Sequence, residues 1–185
     1  MTILALDTAS RKSGYAIYTD GTIITSGSFS LREKGETPTE RTQSREIALY
    51  DKVCDLISKH NVTQVVAEDI FKSDNPELHS AWEVLGTCRG VIISATHASE
   101  LPPVQFITPV RAKHEMWGYS SSRQTHREME RDTQKALMCR AVERLGYTLN
   151  RDRNGNPDND QADALGILIT YLKLHNIPVT HPNAQ

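Results

Sequence analysis

The chain has 185 residues, of which 38% are apolar and 24% charged, with a formal net charge of −2. A chain of this length buries roughly 70% of its unfolded surface, so a single domain can hold a core without disulfides or metals. The composition excludes collagen-like, low-complexity and wholly disordered chains, and the net charge speaks weakly against a protein that merely coats nucleic acid.

The cysteines and the termini indicate where such a protein would work. Cys54, Cys88 and Cys139 are odd in number and form no Cys-x-x-Cys pair, so neither a disulfide framework nor a zinc site is expected. Each is best interpreted as a small buried residue in a reducing cytoplasm. The N-terminus lacks the basic leader of a signal peptide, and no apolar stretch approaches the roughly 18 residues of a membrane span.

The first 30 residues predict three antiparallel strands. Residues 3–6 form a short apolar run that ends at Asp7, and residues 14–18 form a second strand. Asp20-Gly21 is a hairpin turn into a third strand at 22–29. This part of the chain therefore predicts a meander with a carboxylate at the end of its first strand.

Helices and strands alternate after a polar loop at residues 30–42, where a helix could also begin with frayed turns. The predicted elements are a helix at 44–60, a strand at 62–67, a helix at 76–99, a strand at 104–107 and a helix at 109–117. Thr108 is the expected N-cap of that last helix, with Pro109 at its first position. The order predicts an α/β fold with a mixed five-stranded sheet, three antiparallel strands then parallel ones, flanked by helices.

The last third of the chain begins with a polar segment at 119–133 that looks inserted. A helix is expected at about 133–145, followed by a hydrophilic loop at 150–159. The final helix is expected to begin at Asp158 or Asn159 and to end near His175, and a short tail follows from about 177. We expect all of these elements to belong to one domain over residues 1–185.

Four acids occupy positions from which they could share metal ions. Asp7 and Glu68 each end an apolar strand, and parallel neighbouring strands would bring both to one edge of the sheet. Asp160 and Asp163 lie three residues apart at the start of the last helix and so project from one face. Carboxylate oxygens suit Mg²⁺ or Mn²⁺, and two such ions are the recurrent device for hydrolysing a phosphodiester. Taken singly, each acid is equally well explained as a cap or a solvated residue.

The combination resembles the RuvC family of Holliday-junction resolvases, within the ribonuclease H-like superfamily. The resemblance extends from Met1 to about Tyr171, and the last of its blocks is the most specific. The family usually has Pro-Gly where this chain has Thr8-Ala9, which suits a phage or mobile-element relative. The matching blocks are Ile3-Leu4-Ala5-Leu6-Asp7 with Gly14-Tyr15, Val65-Val66-Ala67-Glu68 with Phe71, Leu85-Gly86-Thr87-Cys88-Arg89-Gly90-Val91, and Asp160-Gln161-Ala162-Asp163-Ala164-Leu165.

The resemblance implies a ribonuclease H-like fold and a homodimeric, metal-dependent endodeoxyribonuclease of DNA recombination and repair. Such an enzyme resolves four-way junctions by paired cuts in the cytoplasm of a bacterium or of a phage's host. Asp7, Glu68, Asp160 and Asp163 would be its metal-binding acids, with two Mg²⁺ or Mn²⁺ ions at each site. The sequence identifies no branch-migration helicase partner.

Candidate DNA-binding residues lie outside the acids. Phe71 matches the aromatic with which the family stacks on a base near the junction centre, and Lys113 matches a DNA-contacting lysine. Arg111 and Lys135 are further candidates, although the segment at 119–133 makes the match of Lys135 uncertain. Residues 111–153 contain ten Lys or Arg against six Asp or Glu, so a basic half can bind phosphate while the total charge stays negative.

Two alternatives remain open on the sequence. One is a related structure-selective nuclease that acts on branched or flap DNA. The other is a non-catalytic binding module, because residues 4–10 also resemble the actin-like partner proteins of tRNA modification. Those proteins lack the distal pair, so Asp160 and Asp163 argue against that interpretation. No Gly-x-Ser-x-Gly elbow or phosphate-binding P-loop is present, which excludes the matching hydrolases and nucleotidases.

Overall fold

A computed structural model of the chain contains a five-stranded sheet with helices on both faces. The structure describes residues 1–70, 79–118 and 131–182, with the backbone alone at 79–81 and 131–132. Its elements are β1 (Thr2–Asp7), β2 (Lys12–Thr19), β3 (Thr22–Ser30), α1 (Pro38–His60), β4 (Gln64–Glu68), α2 (His79–Ala98), β5 (Gln105–Ile107), α3 (Pro109–Trp117), α4 (Arg131–Arg144) and α5 (Asn159–Leu174).

The sheet has the strand order β3-β2-β1-β4-β5. The first three strands are antiparallel neighbours, whereas β4 is parallel to both β1 and β5. Asp20 and Gly21 have φ angles of 44° and 94°, the left-handed values that a two-residue hairpin turn requires. The predicted mixed five-stranded α/β fold is therefore confirmed.

Alternation along the strands divides the core into two layers. Ile3, Ala5 and Val66 face one layer, which contains residues of α3, α4 and α5. Leu4 and Val65 face the opposite layer, which contains residues of α1 and α2. Because side chains alternate with a period of two, the acid at the end of β1 and the acid at the end of β4 belong on the α5 side.

Helix α1 begins earlier than the sequence predicted. Thr37 is its N-cap and forms a capping box with Glu40, and Pro38 occupies the first turn. The helix predicted at 44–60 is therefore present but starts at Pro38, and the second half of the segment at 30–42 is the start of a helix, one of the two possibilities that its sequence left open. Apolar periodicity begins only where the helix meets the core, whereas the capping box starts the helix in solvent.

The C-terminal segment is attached to the sheet rather than a free tail. The Tyr18 hydroxyl donates to the carbonyl of Pro178 at 2.8 Å, and the Thr180 amide donates to the carbonyl of Gly21 at 2.7 Å. The Tyr147 hydroxyl and His181 Nδ1 lie 2.9 Å apart. The chain after residue 177 therefore packs against the β2–β3 hairpin as far as the described residues extend.

Other predictions have mixed outcomes. Thr108 caps α3 and Pro109 occupies its first turn, as expected. All three cysteines are free thiols. Most of the segment at 119–133 lies outside the described residues, and α4 begins at its end. No helix in the described parts of the chain is long and apolar enough to cross a membrane.

Candidate active site

Asp7 and Glu68 end two neighbouring parallel strands. Leu6 of β1 lies opposite Ala67 of β4, so the two acids follow at adjacent positions of the ladder. Both acids are partly buried, and both strands are apolar up to that point. The edge of the sheet therefore brings together two carboxylates that are 61 residues apart in the sequence, as the sequence analysis predicted.

Helix α5 brings the other two acids to the same edge. Asp158 is its N-cap, and Asp160 lies in its first turn. A Cβ atom added to Gly14 would lie 1.8 Å from the carbonyl oxygen of Asp160. Since Gly14 is paired with Asp7 across β1 and β2, this close contact fixes the start of α5 beside Asp7.

The environment of Asp7 and Glu68 disfavours two separate negative charges. Burial, followed by repulsion from Glu68 and Asp163, raises the pKa of Asp7 well above its ordinary value. Burial and repulsion from Asp163 raise the pKa of Glu68 to about 7. The contact between the two carboxyl groups raises the pKa of Asp7 further and lowers that of Glu68. The two acids therefore titrate as a pair.

Asp163 is the third acid of this buried group. Burial raises the pKa of Asp163 to about 6, and repulsion from Asp160 acts in the same direction. The ammonium groups of Lys113 and Lys135 act in the opposite direction on that pKa. The pKa of Asp163 is therefore raised by burial and by Asp160 and partly offset by the two lysines.

Asp160 is held outside this group by an ion pair. Its Oδ2 atom lies 2.9 Å from Nζ of Lys12, and the same ammonium lies 2.8 Å from Oδ1 of Asp158. Within the described residues, no three Asp, Glu, His or Cys side chains are gathered closely enough to form a metal-binding group. The acids are instead arranged as a neighbouring pair at the strand ends, Asp7 with Glu68, and an ion pair, Asp160 with Lys12.

The donor chemistry of the four acids nevertheless fits a divalent cation. All offer hard carboxylate oxygens, which Mg²⁺ and Mn²⁺ prefer. The pKa of each of three acids is raised because negative charges meet there with little water, and a bound cation would relieve that repulsion. The residues that would hold it are Asp7, Glu68, Asp160 and Asp163.

The candidate DNA-binding residues have different surroundings. Lys113 Nζ donates to Gln134 Oε1 at 2.9 Å and lowers the pKa of Glu68, so its charge reaches the acids. Lys135 lines a groove of about 740 Å³ that Lys12 and Asp160 also line. Arg111 instead pairs with Glu115 on the exposed face of α3, at 2.9 Å. Phe71 lies outside the described residues.

Three residues at the site were not identified from the sequence as contributing to it. Lys12 bridges Asp158 and Asp160, and Ser28 donates to Asp158 Oδ2 at 2.5 Å. Asp158 was recognised only as a candidate start of the last helix. These contacts join residues that are at least 130 positions apart, which no local pattern records. The sequence did contain an indication of the close contact at Gly14, because a glycine inside a strand often marks a place where another backbone approaches closely.

Comparison with known proteins places this site in a family. The model of the family described as crossover junction endodeoxyribonuclease RuvC matches residues 3–171. The chain belongs to the RuvC family. The family member from Halorhodospira halophila is 28% identical over 182 residues, which cover 96% of this chain and 93% of that protein. The member from Legionella pneumophila is 28% identical over 176 residues, which cover 94% and 88%.

Solved structures share the fold. Thermus thermophilus RuvC in complex with a Holliday junction substrate superposes with a TM-score of 0.65 at 16% identity, covering 95% of this chain and 96% of that one. The Fowlpox virus resolvase, solved with Holliday junction DNA, gives 0.51 at 14% identity, covering 95% and 99%. The predicted RuvC family and ribonuclease H-like fold are therefore confirmed. RuvC-family nucleases generally depend on a divalent metal ion.

Proposed function

We propose that this chain resolves four-way DNA junctions by paired, metal-dependent hydrolysis of phosphodiester bonds. One observation carries the proposal: Asp7, Glu68 and Asp163 come from three elements and repel one another at one edge of the sheet. Such destabilising clusters of like charge are typical of active sites, where function conflicts with stability. Family membership adds the expectation of a junction endodeoxyribonuclease.

The proposed cofactor is Mg²⁺ or Mn²⁺, with two ions held by Asp7, Glu68, Asp160 and Asp163. Bound there, such ions supply Lewis-acid activation of water and stabilisation of the leaving oxygen of the phosphodiester. Because the pKa values of Asp7 and Glu68 are raised, both acids must be deprotonated before they can act as ligands. The rigid ends of β1 and β4 keep the two carboxylates in place during that change.

Lys113 supplies positive charge near the acids. Its contact with Gln134 of α4 at 2.9 Å orients the ammonium, while its charge acts on both Glu68 and Asp163. A phosphate brought to the acids would meet this ammonium and that of Lys135. We propose that these two lysines bind the DNA backbone near the bond that is cut, and that Phe71 stacks on a base and Arg111 contacts phosphate farther out.

A homodimer is part of the proposal. A four-way junction has two equivalent strands to cut, whereas the four acids of one chain form a single candidate centre. A two-fold dimer presents two centres with matching symmetry. Sedimentation equilibrium with and without a four-way junction tests this, since a strictly monomeric protein in both conditions contradicts it.

The experiment that tests the proposed substrate compares branched DNAs of matched sequence. Rates of cleavage in Mg²⁺ are measured on four-way, three-way and flap substrates. We expect the four-way junction to be cut fastest and in two opposing strands. Faster cleavage of flaps would support the related structure-selective nuclease instead, and no cleavage of any substrate would support a non-catalytic binding protein.

A further inference from the structure

Lys12 makes an unusual ion pair at the start of β2. Its ammonium lies 2.8 Å from Asp158 Oδ1 and 2.9 Å from Asp160 Oδ2, so one cation bridges two acids of the same helix start. The Asp158 side chain is only 11% exposed, and it also accepts from Ser28 at 2.5 Å and from the Gln161 amide at 3.3 Å. The bridge is therefore anchored to the sheet and is not a loose surface pair.

This pair involves one of the four acids proposed as metal ligands. Among the described residues, Lys12 is the one cation within ion-pair distance of any of them. Its ammonium contacts one carboxylate oxygen of Asp160. A divalent cation that binds Asp160 must share that carboxylate with the ammonium or displace it, and in either case the two cations repel each other.

We propose that Lys12 is a positioning residue that acts as a built-in counter-ion of Asp160 and weakens the binding of divalent cations at the acidic centre. The inference rests on the proposed function, because it concerns the same centre. In the absence of a divalent metal ion, the Lys12 ammonium compensates the repulsion between Asp158 and Asp160 and keeps the start of α5 against β2. When a divalent cation binds, the same ammonium repels it and so weakens its binding.

Isothermal titration calorimetry of the full chain with Mn²⁺ tests the inference, because it measures the affinity for the ion without any measurement of cleavage activity. Replacing Lys12 with methionine removes the charge but keeps an unbranched side chain of similar length. We expect Lys12→Met to bind Mn²⁺ about ten-fold more tightly than the wild type. Lys12→Arg keeps the charge and should stay within about two-fold. The control is Lys52→Met on α1, whose partner is Asp55, and it should leave the affinity unchanged.

A purely structural role for Lys12 predicts the opposite sign. If the ammonium only held α5 in place, Lys12→Met would loosen Asp160 and weaken Mn²⁺ binding, and this result or an unchanged affinity would overturn the inference. Should Lys12→Met fail to fold, Asp158→Asn serves instead, because asparagine also caps helices well. That variant removes one negative charge, so that Lys12 pairs with Asp160 and no longer with a charged Asp158. It should therefore weaken Mn²⁺ binding. Tighter binding by Asp158→Asn would overturn the inference.

The same titration separates this inference from the proposed function. If the wild type binds Mn²⁺ and Asp7→Asn does not, the acidic centre is established and the Lys12 variants decide the inference alone. If neither protein binds Mn²⁺, the proposed metal centre fails, and the inference fails with it.

Discussion

Asp7 and Glu68 illustrate what single residues contribute to this site and how much of that contribution the sequence records. Their positions follow from two apolar runs that each end in an acid, so both were predicted as partners at one sheet edge. The raised pKa values of the two acids were not predicted, because they depend on burial and on Asp163, which only the folded structure brings near. The identity of a residue is local information, whereas its protonation depends on the assembled structure.

Removing one acid of the pair should lower the cleavage activity while raising the stability of the metal-free protein. We expect Asp7→Asn to lower junction cleavage roughly 1,000-fold or more, because a group required in the transition state is lost. Without metal at pH 8, the same variant should be more stable by about 1 kcal/mol, because an amide at this position is neutral, whereas the buried carboxyl must either take up a proton or stay charged beside Glu68. Asp55→Asn, an exposed acid of α1, is the matched control and should change neither quantity. Cleavage at the wild-type rate by Asp7→Asn would remove Asp7 from the proposed centre.

The stability of the metal-free protein should depend on pH through the same acids. In the folded chain, burial raises the pKa of Glu68 to about 7 and that of Asp163 to about 6, above the ordinary values of 4.5 and 3.8. The folded state therefore binds more protons than the unfolded chain, and the free energy of unfolding should fall as pH rises from about 5 to 8.

Urea unfolding in EDTA at pH 5, 6, 7 and 8 measures this dependence. Glu68→Gln should show a smaller decrease over the same interval, since one of the groups responsible is gone. Saturating Mg²⁺ should reverse the decrease at pH 8 by binding the ionised acids of the folded state. A wild-type protein that becomes more stable over this pH range would contradict the buried, protonated pair.

Contacts between elements place the acids relative to one another. At Gly14, the backbone of β2 lies directly against the backbone at the start of α5. The contact between β2 and the start of α5 leaves no room for a Cβ atom, because the obstacle is the backbone of Asp160. The sequence contains the glycine and predicted both β2 and α5, but the contact between these two elements is a property of the fold.

A methyl group at position 14 should therefore displace the start of α5. We expect Gly14→Ala to lower the free energy of unfolding by about 3 kcal/mol, as overpacking does, and to weaken Mn²⁺ binding because two acids move. Gly86→Ala on α2 is the matched control, since no atom of the described residues lies within 4 Å of an added Cβ there. It should be neutral or stabilising by up to about 1 kcal/mol. Equal effects of the two substitutions on unfolding would refute the close contact.

The α3–α4 contact makes a separate prediction about DNA. Lys113 on α3 is held by Gln134 on α4, so its ammonium has a fixed direction. We expect Lys113→Ala to weaken binding of a four-way junction and to reduce the salt dependence of that binding by about one phosphate contact. Fluorescence anisotropy over a range of salt concentrations measures both, with Lys52→Ala as the control. An unchanged salt slope would place Lys113 away from the DNA backbone.

For the molecule as a whole, the net charge of −2 gave little indication of a DNA partner. The distribution of charge is more informative, because Asp7 and Glu68 end neighbouring strands and the start of α5 lies beside them, while residues 111–153 contain ten basic residues against six acidic ones. A protein with this distribution can attract phosphate beside an acidic centre.

The strand order and the family were predictable because they depend on periodicity and on motifs with fixed spacing. The early start of α1 and the attached C-terminal segment were not, since a capping box and long-range hydrogen bonds decide them. The same reason explains why Lys12 was missed. Its partners lie 146 and 148 residues further along the chain, and no motif in its own strand points to them.

Cleavage of an immobile four-way junction, labelled on each strand in turn, tests the central claim most directly. With Mg²⁺, the wild-type protein should nick two opposing strands at symmetric positions, and Asp7→Asn should bind the junction without cutting it. A wild-type protein that binds the junction but never cuts it in Mg²⁺ or Mn²⁺, or an Asp7→Asn protein that cuts as fast, would contradict the account.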